Sequence, residues 1–137
     1  MATQLLAKGM GASPGRATGG IVFCSDDAVA AAEKGIAVIL VRVETDTEDL
    51  PGMKAAAGIV TTRGGITSDA AIIARSLGKP CIASCLPLRV DYAAGSLTIW
   101  REAQQDSAAH QDRADVVLAK GDVITIDGGR GEIWAGE

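Results

Sequence analysis

Two uninterrupted apolar runs constrain this chain more than any other feature: AVILVRV (residues 37–43) and GIVTT (58–62). Each is bounded by turn signals, so each reads as a strand buried inside a domain. Helical stretches flank them. In SDDAVAAAEKG, Ser25 or Asp26 can cap a short Ala-rich helix and Gly35 can end it. In TDTEDLPGMKAAA, Thr47 is the candidate cap and acidic residues fill the first turn.

The rest of the chain extends this alternation and then abandons it. GMGASPGRATGGIVF opens with turn residues and moves into a strand at 20–24. A helix is predicted over 68–77, where Ala70, Ile73, Ala74 and Leu77 are spaced to face a core and Gly78 and Pro80 stop it. CIAS follows as a strand. SLTIW, VVLAKGDVITIDGG and GEIWAGE read as strands joined by Gly-rich hairpin turns, with Gly128 and Gly129 supplying positive φ in DGGRGE. Residues 100–116 form either a long loop or an exposed helix. The expected fold is therefore α/β: a barrel-like β-sheet sandwich flanked by about three short helices, in a single domain over 1–137. With one Phe and one Tyr, its core must be built from Ala, Val, Ile and Leu.

Charge narrows the partners. Net charge is −4 and the 13 Lys and Arg are scattered, which argues against nucleic acid and against an anionic membrane surface. No apolar run approaches the roughly 20 residues that cross a bilayer. The start, MATQLLAKGMGASPG, lacks the pattern of a signal peptide, so a cytoplasmic location is expected. The end at WAGE, just after the last strand, reads as a domain boundary. Cys24, Cys81 and Cys85 are an odd count with no CxxC spacing, and His110 is the sole histidine. They read as reduced bystander thiols and a solvated surface residue, with no metal site.

Chemistry concentrates in TTRGGITSDAAIIARSLGKPC (61–81). Gly64 and Gly65 can expose backbone N–H groups before a helix, whose first turn adds further unpaired donors and a partial positive charge. Thr67 and Ser68 add hydroxyls, and Arg63 and Arg75 add forked cations suited to phosphate. The same residues also suffice for an ordinary turn, cap and helix.

The longer string GIVTTRGGITSDAAIIARSLGKPCIA resembles the signature of the phosphohistidine swivelling domain of phosphoenolpyruvate-utilising enzymes, and AKGMGASPGRATGGIVF, ILVRVETDTEDLPGMKAAAGIVTTRGG and KGDVITIDGGRGEIWAGE are most similar to the pyruvate phosphate dikinase branch. The resemblance weakens over 88–119. It implies the swivelling β/β/α fold and a phosphoryl shuttle between a nucleotide-binding domain and a barrel domain that binds phosphoenolpyruvate or pyruvate. It implies no cofactor in this domain, with Mg and ATP serving the partner domains, and no turnover by the isolated domain. Arg63, Gly64, Gly65, Thr67 and Ser68 are implied to contact the phosphoryl group. Thr67 also matches a regulatory position in plant relatives, although capping or donation explains it as well.

One residue departs from the pattern. The family's Thr-Ser-His-Ala-Ala is here Thr67-Ser68-Asp69-Ala70-Ala71, so Asp69 stands where the phospho-acceptor histidine belongs. Three readings follow. Asp69 disables the carrier; or the chain is a stand-alone, non-catalytic module that binds a partner; or Asp69 is itself an aspartyl-phosphate acceptor.

Overall fold

The computed structural model describes residues 5–45, 49–63, 69–85, 88–99 and 116–136, with Asp69 described through its backbone alone. In chain order the elements are β1 (Leu5–Lys8), β2 (Met10–Ser13), β3 (Arg16–Val22), α1 (Ser25–Glu33), β4 (Val38–Arg42), α2 (Leu50–Ala55), β5 (Gly58–Thr61), α3 (Asp69–Leu77), β6 (Cys81–Ala83), β7 (Leu88–Asp91), β8 (Ser96–Ile99), β9 (Val116–Ala119), β10 (Val123–Asp127) and β11 (Glu132–Ala135).

Strands β3, β4, β5 and β6 are parallel neighbours in sequence order, each joined to the next by one helix. Such crossovers are almost always right-handed, which stacks α1, α2 and α3 on one face of the sheet. The continuous apolar run around β4 follows from this placement. Val38 and Leu40 pack towards the helices, with Ala28, Met53, Ala70 and Ala74. Ile39 and Val41 pack on the opposite face with Leu88, Leu97, Ile99 and Ile126. That second face is covered by a small antiparallel sheet in the order β7-β8-β9. The layers are thus helices, large sheet and small sheet.

The large sheet has the order β1-β11-β10-β3-β4-β5-β6-β2. Its two edge strands, β1 and β2, are separated in the chain by Gly9 alone. One short segment therefore pairs with β11 and then with β6, drawing the two ends together into the expected barrel-like sheet. Backbone bonds lock this seam: Gly9 N–H donates to Gly131 O at 2.7 Å, and Gly128 N–H donates to Gly15 O at 2.7 Å.

Several local expectations are corrected. Residues 10–13 are strand, not turn, and β3 runs from Arg16 to Val22 instead of over 20–24. The glycines there serve close approach: a Cβ on Gly19 would sit 2.5 Å from Ala37 O. Neither Ser25 nor Asp26 caps α1, where Cys24 holds the N-cap position with no capping bond from its side chain. The Ser25 hydroxyl instead accepts from Gly52 N–H of α2 at 2.7 Å, satisfying one of that helix's orphan donors from outside. No acidic residue lies in the first turn of α2, because the helix begins only at Leu50. Thr47 lies outside the described residues.

Gly128 and Gly129 do not carry the positive φ expected of them; Gly131 does, at 72°. The Asp127 carboxylate accepts from the N–H groups of Gly129 (3.0 Å) and Arg130 (3.1 Å), which keeps the first half of the turn right-handed. The chain reverses at Gly131, whose N–H donates to Asp127 O at 2.8 Å. The predicted stops at Gly35 (φ 75°) and Gly78 (φ 71°) are as expected. Strand β7 was not foreseen. Of the 100–116 segment, residues 100–115, including His110, lie outside the described residues, and Val116 begins β9.

Candidate functional site

In α/β sheets the carboxyl ends of parallel strands are where ligands collect. Here those ends present Arg42 of β4, Thr61-Thr62-Arg63 leaving β5, and Ser84-Cys85 leaving β6. The backbone at this end is tightly tied. Thr62 N–H donates to Arg42 O and Arg63 N–H to Val43 O, each at 3.1 Å, while Cys85 N–H donates to Thr61 O at 3.2 Å. The Thr61 hydroxyl donates to Arg63 O at 2.9 Å, tightening the turn out of β5. Ser84 adopts φ 51°, a left-handed conformation unusual for a residue with a side chain. Helix α3 opens at Asp69, a short connection beyond Arg63.

Arg63 is exposed at this rim and borders a concavity of about 260 Å³, lined also by Val43, Thr62, Leu88, Arg89 and Val90. Asp69 is the first residue of α3; Gly64, Gly65, Thr67 and Ser68 lie outside the described residues. The core face of α3 is as predicted, with Ala70 and Ala74 buried and Ile73 and Leu77 packed against the same cluster. Arg75 lies further along α3. It sits six residues beyond Asp69, about 9 Å along the helix axis, and its guanidinium donates to Ala12 O of β2 at 2.8 Å. Arg75 is thus tied to the edge of the sheet.

Two groups went unrecognised in the sequence. Arg89 lies exposed on β7, beside Arg63 in the same concavity. The alternation Leu88-Arg89-Val90-Asp91 was its only signal. Arg42 links the layers: it donates to Phe23 O at 2.9 Å, pairs with Asp49 at 3.5 Å, and lies 4.7 Å from the centroid of the Tyr92 ring. The Tyr92 hydroxyl in turn accepts from Val43 N–H at 2.8 Å. A lone tyrosine in a turn gives no hint of this in sequence.

Burial pushes the thiols of Cys81 and Cys85 up to about 12, which makes both inert at neutral pH. Cys24 is half-buried. Among the described residues, no group of three or more His, Cys, Asp or Glu converges on a point where a metal could sit. No described helix is long and apolar enough to cross a membrane. Among the described residues, the chemistry offered at the carboxyl end of the sheet is that of guanidinium groups, which suits a small oxyanion.

Comparison with known proteins gives a consistent relationship. The sequence profile of the family described as "PEP-utilising enzyme, mobile domain" matches residues 35–131. A pyruvate, phosphate dikinase of Rhizobium meliloti is 50% identical over 134 residues, covering 98% of this chain and 13% of the relative. Pyruvate, phosphate dikinase 2 of Oryza sativa subsp. japonica is 44% identical over 98% of this chain and 14% of its own length. The Clostridium symbiosum pyruvate, phosphate dikinase is 40% identical over 99% of this chain and 14% of its own. The chain thus spans about one seventh of the length of these relatives. A solution structure of Enzyme I aligns with 71% of this chain and 29% of its own, at 20% identity and a TM-score of 0.41, too slight a likeness to bear on the argument.

Proposed function

This chain belongs to the mobile-domain family of PEP-utilising enzymes, and from that premise we propose that it is the swivelling phosphoryl-carrier domain of a pyruvate phosphate dikinase-like phosphotransferase, with Asp69 standing in the place of the phospho-acceptor histidine. In this reading the domain moves between a nucleotide-binding domain and a barrel domain that binds phosphoenolpyruvate or pyruvate. Mg²⁺ and ATP serve the nucleotide-binding partner, and the carrier needs neither.

The observation that carries the reading is the position of Asp69: first residue of α3, six residues after Arg63 in the connection from β5. A nucleophile at a helix start meets unpaired backbone N–H groups that stabilise an incoming phosphoryl oxygen. A histidine there takes the phosphoryl group on a ring nitrogen: the N–P bond forms as the P–O bond to the donor breaks, and the leaving oxygen keeps the electron pair. Asp69 changes that step. Its carboxylate is shorter than imidazole and cannot reach the same in-line position, and misplacement by about 1 Å costs on the order of 100-fold. Its negative charge also repels an anionic donor. The domain is thereby inactive as a carrier while its scaffold stays intact.

The test incubates this chain and its Asp69→His variant with labelled phosphoenolpyruvate and the separately expressed barrel domain of a pyruvate phosphate dikinase. Label is expected only on the variant, stable in alkali and lost in acid. Hydroxylamine-sensitive label on the unaltered chain would make Asp69 an acyl-phosphate acceptor and overturn the inactivity. Label on neither, with the barrel domain shown to be active, would overturn the carrier reading in favour of a binding module.

A further inference from the structure

Val43 lies one residue beyond the end of β4 and is gripped from two sides. Its carbonyl accepts from Arg63 N–H at 3.1 Å, and its own N–H donates to the Tyr92 hydroxyl at 2.8 Å. Arg63 is fixed at its other end too, where its carbonyl accepts from the Thr61 hydroxyl at 2.9 Å. Arg63 is the last described residue before the connection to α3, so these bonds set where the chain departs towards Asp69. Of the three, only the bond to Tyr92 comes from the hairpin of the small sheet.

That hydroxyl is delivered by a stiff support. Tyr92 follows β7 directly, in a turn closed by Gly95 N–H donating to Asp91 O at 2.9 Å and by Ala94 N–H donating to the Asp91 carboxylate at 3.0 Å. Gly95 completes the reversal at φ 67°. The Arg42 guanidinium lies 4.7 Å from the ring centroid and holds the ring beside the end of β4. Tyr92 is nevertheless 45% exposed, so its ring adds little to the core. A phenol half in water, whose oxygen meets one backbone N–H, contributes more to placement than to stability. Tyr92 also falls within 88–119, where the family resemblance weakens and implies no role for it.

We propose that Tyr92 is a positioning residue for phosphoryl transfer: through Val43 it fixes the backbone of Arg63, and with it the start of the connection that leads to the acceptor position. The proposal rests on the carrier reading above. Tyr92 touches no reacting atom in this scheme and acts only through its bond to Val43. Displacement by about 1 Å costs such a step on the order of 100-fold, and release of one anchor permits part of that shift.

Tyr92→Phe removes the hydroxyl and keeps the ring beside Arg42. Hydrogen exchange at single backbone amides compares this variant with the unaltered chain. Exchange at Val43 and Arg63 is expected to quicken by about tenfold, while Val41 and Val60 in the sheet keep their protection. Equal quickening at all four would make Tyr92 a general stabiliser, and no change at Arg63 would remove its link to the rim. Either result overturns the proposal. The same substitution is then added to the Asp69→His variant, which is labelled from phosphoenolpyruvate through the barrel domain. The labelling rate at saturating phosphoenolpyruvate is expected to fall about tenfold with KM unchanged. A loss of stability alone would leave both values unaltered per folded molecule. A raised KM with an unchanged limiting rate would place Tyr92 in substrate contact and likewise overturn the proposal. A rate and KM equal to those of Asp69→His alone defeat the proposal and spare the carrier reading. No label on Asp69→His, with the barrel domain shown to be active, defeats the carrier reading and this proposal together.

Discussion

Cys81 and Cys85 are fully buried on opposite sides of the large sheet, one packed towards the helices and the other beneath the small sheet. Their surroundings exclude the thiolate, and the thiol is held up to about 12 in each case, even though Arg75 pulls Cys81 the other way. A raised folded-state value means the protonated, folded form is favoured below pH 9 and its advantage fades only as pH climbs towards 12. Native protein is therefore expected to react with a thiol reagent at Cys24 alone, at pH 7 and at pH 9, and at all three cysteines after denaturation. Mass analysis of the labelled chain decides this, and rapid native labelling of Cys81 or Cys85 would show that the core opens locally. The odd cysteine count already pointed to bystander thiols, because it offers no framework of pairs. The tie of Arg75 to β2 was not legible in the sequence, because the Ala12 carbonyl that it meets lies 63 residues away in the chain.

The hairpin joining β10 to β11 shows how an element can be read correctly and explained wrongly. Its location was plain in DGGRGE, but the reason for each glycine was not. A Cβ on Gly128 would lie 1.9 Å from Ser13 O, and one on Gly131 would lie 2.3 Å from Gly9 O at a φ of 72°. A Cβ on Gly129 would meet only an Asp127 carboxylate oxygen at 3.5 Å. Gly128→Ala is therefore expected to destabilise the fold by about 2 kcal/mol or more, and Gly129→Ala by no more than about 0.5 kcal/mol. Denaturant unfolding of the two variants measures the difference, and equal effects would mean that the seam gives way without cost. The helices show the same division: Gly35 and Gly78 end α1 and α3 for local reasons, whereas the hydroxyl of Ser25 serves α2, a helix 27 residues away.

At the scale of the molecule, Arg42 is the hinge pin between the two sheets. Its guanidinium reaches the carbonyl of Phe23, the carboxylate of Asp49 and the ring of Tyr92, so three segments share one cation. Arg42→Met keeps most of the apolar stem and removes those contacts. The variant is expected to lose about 1–3 kcal/mol of stability. Amide exchange should quicken most over 88–99, while β4 and β5 keep their protection. Uniform quickening would reduce Arg42 to a general stabiliser, and no change would remove its linking role.

What the sequence determined alone was everything set by local order: the buried runs at β4 and β5, the core face of α3, the glycine stops, the barrel-like α/β class and the family motif with aspartate at position 69. These follow from periodicity, turn chemistry and residue identity, which act over a few neighbours. The tertiary structure decided the rest: the closure of the sheet through Gly9, the true task of Ser25 and Gly128, the tie of Arg75 to β2 and the meeting of Arg63 with Arg89 at one concavity. Each depends on contacts between segments distant in the chain, and short-range patterns in a sequence carry no record of which distant backbone will lie 3 Å away.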